Sequence, residues 1–149
     1  MTTNVVSVLN KLIKTSKDGE QGFRNAAENV SNESLKQMFL EKAQGCKAAA
    51  QELQLHVTHE GEEPEESGSI MGAIHRGWMN VKSTIAGQDD HAILAECERG
   101  EDVAKATYAN ALKEDLPSDI RAVVQHQYQG VLSNHDQIRD LRDSYVNKS

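Results

Sequence analysis

An all-α four-helix bundle is the fold the sequence predicts, and three observations carry it. Apolar residues recur at the 3.6-residue helical period through four long segments. Ala, Glu, Lys, Gln and Leu, all good helix formers, recur along the chain. Two prolines and 4% aromatic residues argue against a sandwich or barrel. The 149 residues suit one domain, read here as a hairpin over 4–57, a crossover over 58–89 and a second hairpin over 90–146.

Residues 4–30 make the first helix, with Leu9, Leu12, Ile13, Ser16, Phe23, Ala27 and Val30 on one stripe. At about 100° per residue, Glu20 points close to the middle of that stripe. The run Ser31-Asn32-Glu33-Ser34 supplies a break and an N-cap. The second helix covers 33–57, with a stripe of Leu35, Met38, Phe39, Cys46, Ala49, Ala50, Leu53 and Val57. Lys42 falls in this stripe, whereas Glu41 and Gln44 fall off it. The short link implies an antiparallel pair.

His59 to Ser69 (HEGEEPEESGS) is an acidic linker without periodicity. A shorter helix over 69–86 carries Ile70, Ile74, Trp78, Val81 and Ile85. Gly72 and Gly77 weaken it, so packing must hold it. Gly87-Gln88-Asp89-Asp90 ends that helix and caps the next. Residues 90–114 place Ile93, Cys97, Gly100, Ala104, Tyr108 and Ala111 on one face, with Glu101 at one edge and Glu96 at the other. Leu116-Pro117-Ser118-Asp119 stops that helix and caps the last, over 119–146. The last stripe is unusually polar: Gln127, Asn134, His135 and Arg142 share a face with Ile120, Val123, Val124, Val131, Ile138, Leu141 and Tyr145.

The net charge of -7 argues against non-specific nucleic-acid binding, which needs a basic face. The start, MTTNVVSVLNKLIK, reads as neither signal peptide nor membrane span, so the expectation is a soluble cytoplasmic protein. Two cysteines, Cys46 and Cys97, are too few for a disulfide framework and read as small buried thiols. No Ser/His/Asp nucleophile arrangement, phosphate loop or dinucleotide fingerprint is present.

The functional lead is polar residues on apolar stripes: Glu20, Glu101 and His135. Buried carboxylates and imidazoles must be paired, hydrogen-bonded or metal-bound. Counting from the turns places Glu20 near Lys42 and Cys46, and Glu101 level with Val131 to His135. One reading is a transition-metal site of Glu20, Glu101 and His135 for Fe, Mn, Zn or Cu, with Cys97 or Cys46 shifting preference to Zn or Cu. The plainer and more common outcome is structural: a Glu20–Lys42 ion pair and a His135–Glu101 hydrogen bond. His75-Arg76-Gly77-Trp78 offers an anion or phosphorelay site, against the plainer reading that Trp78 packs the crossover. The acidic linker lacks calcium-loop spacing.

Several segments together resemble one family: KDGEQGF (17–23), the end of helix 2 around Leu53, GSIMGAIHRGWMNVKS (68–83), ILAECERGEDVAKATYANAL (93–112) and SNHDQIRDLRDSY (133–145). They are similar to small bacterial four-helix-bundle proteins of unknown function in the ferritin-like group. The resemblance implies a ferritin-like bundle and a bacterial source. In ferritin-like di-iron proteins, one Glu comes from each of two helices and Glu-x-x-His from each of the other two. Glu20, Glu101 and His135 match parts of that set. Helix 2 supplies no counterpart, and Leu132 stands where the Glu partner of His135 belongs. The expectation is therefore a non-catalytic, self-associating interaction or stress-associated bundle. The competing expectation is a metal-binding protein with a degenerate carboxylate/His site.

Overall fold

The computed structural model describes residues 3–59 and 89–148. Four helices account for nearly all of them: α1 (Thr3–Asn29), α2 (Glu33–His59), α3 (Asp90–Ala111) and α4 (Ser118–Lys148). The short helix expected over 69–86, the acidic linker and the His75 to Trp78 cluster lie outside the described residues.

Both connections close as their side chains dictate. Asn32 Oδ1 accepts from the Leu35 amide at 3.0 Å, capping α2. Asp89 Oδ1 accepts from the Ala92 amide at 2.8 Å, capping α3. Asp90 reaches across to the first turn, where its two oxygens accept the Ser31 and Asn32 amides at 2.7 and 3.0 Å. That contact ties the start of α3 to the end of α1. After α3, Arg121 donates to the carbonyl oxygens of Leu112 and Glu114 at 2.8 and 2.6 Å.

Helix α1 packs on α2 and on α3, and α3 packs on α4. Contact between α2 and α4 is sparse. Ser16 meets Tyr108 and Ser31 meets Asp90, so α1 and α3 run antiparallel. The result is an all-α bundle of two antiparallel hairpins, as the sequence predicts.

Among the described residues, the interior forms two apolar plugs. The first joins Val5, Leu9, Leu12 and Ile13 of α1 to Leu53 and Val57 of α2, Tyr108 of α3, and Ile120 and Val124 of α4. The second joins Phe23, Phe39, Ile93, Leu94, Cys97 and Ile138. Within it, Phe23 and Phe39 stack with centroids 6.1 Å apart. Between the plugs the helices turn polar at one level, where Ser16, Lys42, Glu101 and His135 are buried. Among the described residues, no helix is long and apolar enough to cross a membrane.

Candidate functional site

The sparse α2–α4 seam opens into a cleft of about 460 Å³ at that polar level. Thr15, Ser16, Gly19, Glu101 and Tyr108, mostly buried, form its floor. The walls mix small residues, Gly45, Ala48, Ala49 and Gly130, with polar ones, Glu52, His126, Gln127 and Asn134. A Cβ built on Gly45 or Gly130 would meet nothing within 4 Å, so neither wall is pressed against a neighbour.

Glu101 is the focus. It is 4% exposed, and its Oε2 has no hydrogen-bond partner among the described residues. Burial raises its carboxyl to about 8, opposed by the nearby Lys42 ammonium. Burial therefore favours the neutral acid at pH 7. Lys42 is itself buried on α2, and burial lowers its pKa, with Glu101 acting the other way. Its Nζ donates to Asn134 Oδ1 at 2.9 Å and Gln137 Oε1 at 2.7 Å. These bonds span the seam from α2 to α4.

A second set of bonds spans the same seam, and its direction can be fixed. Gln127 Nε2 lies 2.7 Å from Glu52 Oε1 and 3.3 Å from the Ala49 carbonyl. Both partners are acceptors, so this nitrogen uses its hydrogens there. Gln127 Oε1 then accepts from the Tyr108 hydroxyl at 2.7 Å. Tyr108 has no second hydrogen, so Ser16 donates to it across 3.2 Å. The chain Ser16 to Tyr108 to Gln127 to Glu52 joins all four helices and leaves the Ser16 oxygen as an acceptor in the cleft.

The three expected site residues have different partners. Glu20 is only part-buried and pairs with Arg24 on its own helix at 3.0 Å. The expected Glu20–Lys42 pair is thus replaced, because Lys42 reaches α4 instead. His135 is buried, but its Nε2 lies 2.6 Å from Asp102 and 3.6 Å from Glu98, not on Glu101. Adjacent residues on a helix diverge by about 100°, so Glu101 turns inward while Asp102 flanks α4. Glu98 also receives Arg142.

Thus Glu20, Glu98, Glu101 and Asp102 each have a protein cation or imidazole nearby. Among the described residues, no group of three or more His, Cys, Asp and Glu side chains gathers as a metal ligand set. The ferritin-like metal arrangement does not fit these residues. Lys42 and Arg142 place positive charge near Glu101 and Glu98. Cys97 sits in the second apolar plug, Cys46 lines the cleft, and both are free thiols. Burial pushes both thiols upward, with Glu101 adding to the effect, so neither is a ready thiolate.

Glu98 and Asp102, which hold His135, are not evident as site residues from periodicity. Their signal is indirect: the acidic pair at four-residue spacing opposite the polar face of the last helix.

The family described as "Domain of unknown function (DUF2383)" matches residues 4–114. No curated protein matches the chain. Among solved structures, it is similar to a two-domain protein from Anabaena variabilis ATCC 29413 containing DJ-1/ThiJ/PfpI-like and ferritin-like domains. The TM-score is 0.79 at 17% identity, covering 97% of this chain and 41% of that one. The chain thus spans less than half of that protein, and the likeness establishes a ferritin-like fold.

Proposed function

We propose that this chain, which belongs to the DUF2383 family, is a non-catalytic binding module. It takes a small molecule in the α2–α4 cleft. One observation carries this reading: Glu101 lines the cleft, and its Oε2 is buried with no partner among the described residues. A buried polar atom left unpaired costs about 1–3 kcal/mol, so a bundle that keeps one at the floor of a cleft gains on filling it. The neighbouring carboxylates already have protein partners, which favours an organic ligand over a metal ion. The walls of Gly45, Ala48, Ala49 and Gly130 leave room for an apolar body.

The test is a fragment screen followed by amide NMR. Hits should shift resonances of Ala49, Tyr108 and Gly130. Gly130→Leu, which places a side chain into open space at the wall, should abolish those shifts while the helical spectrum persists. A screen whose hits all spare the cleft residues would sink the reading.

A further inference from the structure

We infer that the cleft selects a small aliphatic primary ammonium group, bound between Glu101 Oε2 and the Ser16 hydroxyl oxygen. This rests on the cleft-binding reading and adds the chemical class of the ligand.

The argument is a census of hydrogens. Gln127 uses both amide hydrogens on Ala49 and Glu52. Its oxygen takes the only hydrogen of Tyr108, and Tyr108 takes the only hydrogen of Ser16. Lys42 commits two donors to Asn134 and Gln137. What this network leaves is a lone pair on Ser16 and the unpartnered oxygen of Glu101, an acceptor once that carboxyl ionises, in a cleft lined by neither Lys nor Arg. A ligand matching two acceptors must bring donors, and an ammonium brings three. Glu52, the other carboxylate lining the cleft, adds negative potential. A metal ion would need several anionic or imidazole ligands at once, which this floor does not supply. The stretch of wall formed by Gly45, Ala48, Ala49 and Gly130 suits a short alkyl chain.

The step is a proton exchange without a covalent change. In the free protein, burial favours the protonated form of Glu101, opposed by the Lys42 charge. An arriving ammonium stabilises the carboxylate, Glu101 loses its proton to solvent, and a charge-assisted hydrogen bond replaces the orphaned atom. Binding therefore releases one proton per ligand at neutral pH. Affinity should rise about tenfold per pH unit up to about pH 8, where Glu101 ionises unaided, and flatten above it.

Isothermal titration calorimetry with n-butylamine, against its neutral counterpart 1-butanol, tests this. The titrations run in phosphate and in HEPES, whose ionisation heats differ. The expected result is n-butylamine binding at least tenfold tighter than 1-butanol. Its heat should depend on the buffer by about one proton, and the affinity should rise with pH. Glu101→Gln, which keeps the shape of the neutral acid, should lose at least tenfold affinity for the amine while retaining 1-butanol binding. If 1-butanol binds as well as the amine, or the heat ignores the buffer, the ammonium assignment falls and the cleft reading stands. If neither probe binds and no fragment shifts the cleft resonances, both fall.

Discussion

At the scale of single residues, Glu101 ties stability to pH. Its carboxyl holds a proton to about pH 8 in the fold, against 4.5 for an ordinary glutamate. Between those values the unfolded chain binds fewer protons than the native one. Stability therefore falls as pH rises through the window and levels off above it. The loss is on the order of a few kcal/mol, at about 1.4 kcal/mol for each pH step across that window. Glu101→Gln removes this slope. Urea unfolding of both proteins at pH 5, 6.5 and 8 should show the variant gaining on the native chain as pH rises. A constant difference would mean Glu101 is already ionised at neutral pH. Lys42→Met should cost about 1–3 kcal/mol at pH 7, because Asn134 and Gln137 lose their donor. Denaturant midpoints measure that. The sequence marks Glu101, Lys42 and His135 as polar groups on apolar stripes, and all three are buried. It cannot choose their partners. A step of one residue along a helix turns a side chain by about 100°, enough to move His135 from Glu101 to Asp102. Glu20 shows the same limit: spacing places it on the stripe, but Arg24, one turn on, draws it into a surface pair.

At the scale of helices, boundaries follow local chemistry where caps set them and depart from it where another helix does. Asn32 and Asp89 cap as their residue types predict. Helix α3 is expected to reach residue 114 but ends at Ala111. There Lys113 and Glu114 bond back to Asn110 and Ala111, and Arg121 of α4 covers the freed carbonyls. No pattern within α3 records that arginine. Glycines separate two further cases. Gly45 and Gly130 sit mid-helix in open space, each costing roughly 1 kcal/mol of helix propensity relative to alanine. Gly45→Ala and Gly130→Ala should each raise the unfolding free energy by up to about 1 kcal/mol. Because both positions line the cleft, the gain in stability should come with weaker ligand binding, and the pair of measurements checks the trade. Gly19 differs, since an added Cβ would lie 3.1 Å from Cys46 Sγ. Gly19→Ala should bring little or no gain alone and become stabilising by about 1 kcal/mol in a Cys46→Ala background. A strictly additive double-mutant cycle would show that α1 and α2 are not in contact there.

At the scale of the molecule, the bundle is held at both ends by apolar plugs and across its middle by directed hydrogen bonds. The α2–α4 seam has little packing of its own. Its struts are polar: Lys42 to Asn134 and Gln137, and Gln127 to Ala49 and Glu52. A seam closed by a few hydrogen bonds, each contributing about 0.5–1.5 kcal/mol net, opens at far lower cost than a packed one. A ligand can then enter without unfolding either plug. Gln127→Leu tests this division. It removes the acceptor of Tyr108 and both donors to α2 while keeping similar bulk. Amide hydrogen exchange should accelerate around residues 45–52 and 127–134. The amides around Phe23, Phe39 and Ile93 in the second plug should lose less protection, because their packing does not involve Gln127. An equal loss of protection in all four helices would mean that seam and plugs unfold as one unit. The cleft would then have to be a permanent feature of the bundle rather than a joint that opens on its own.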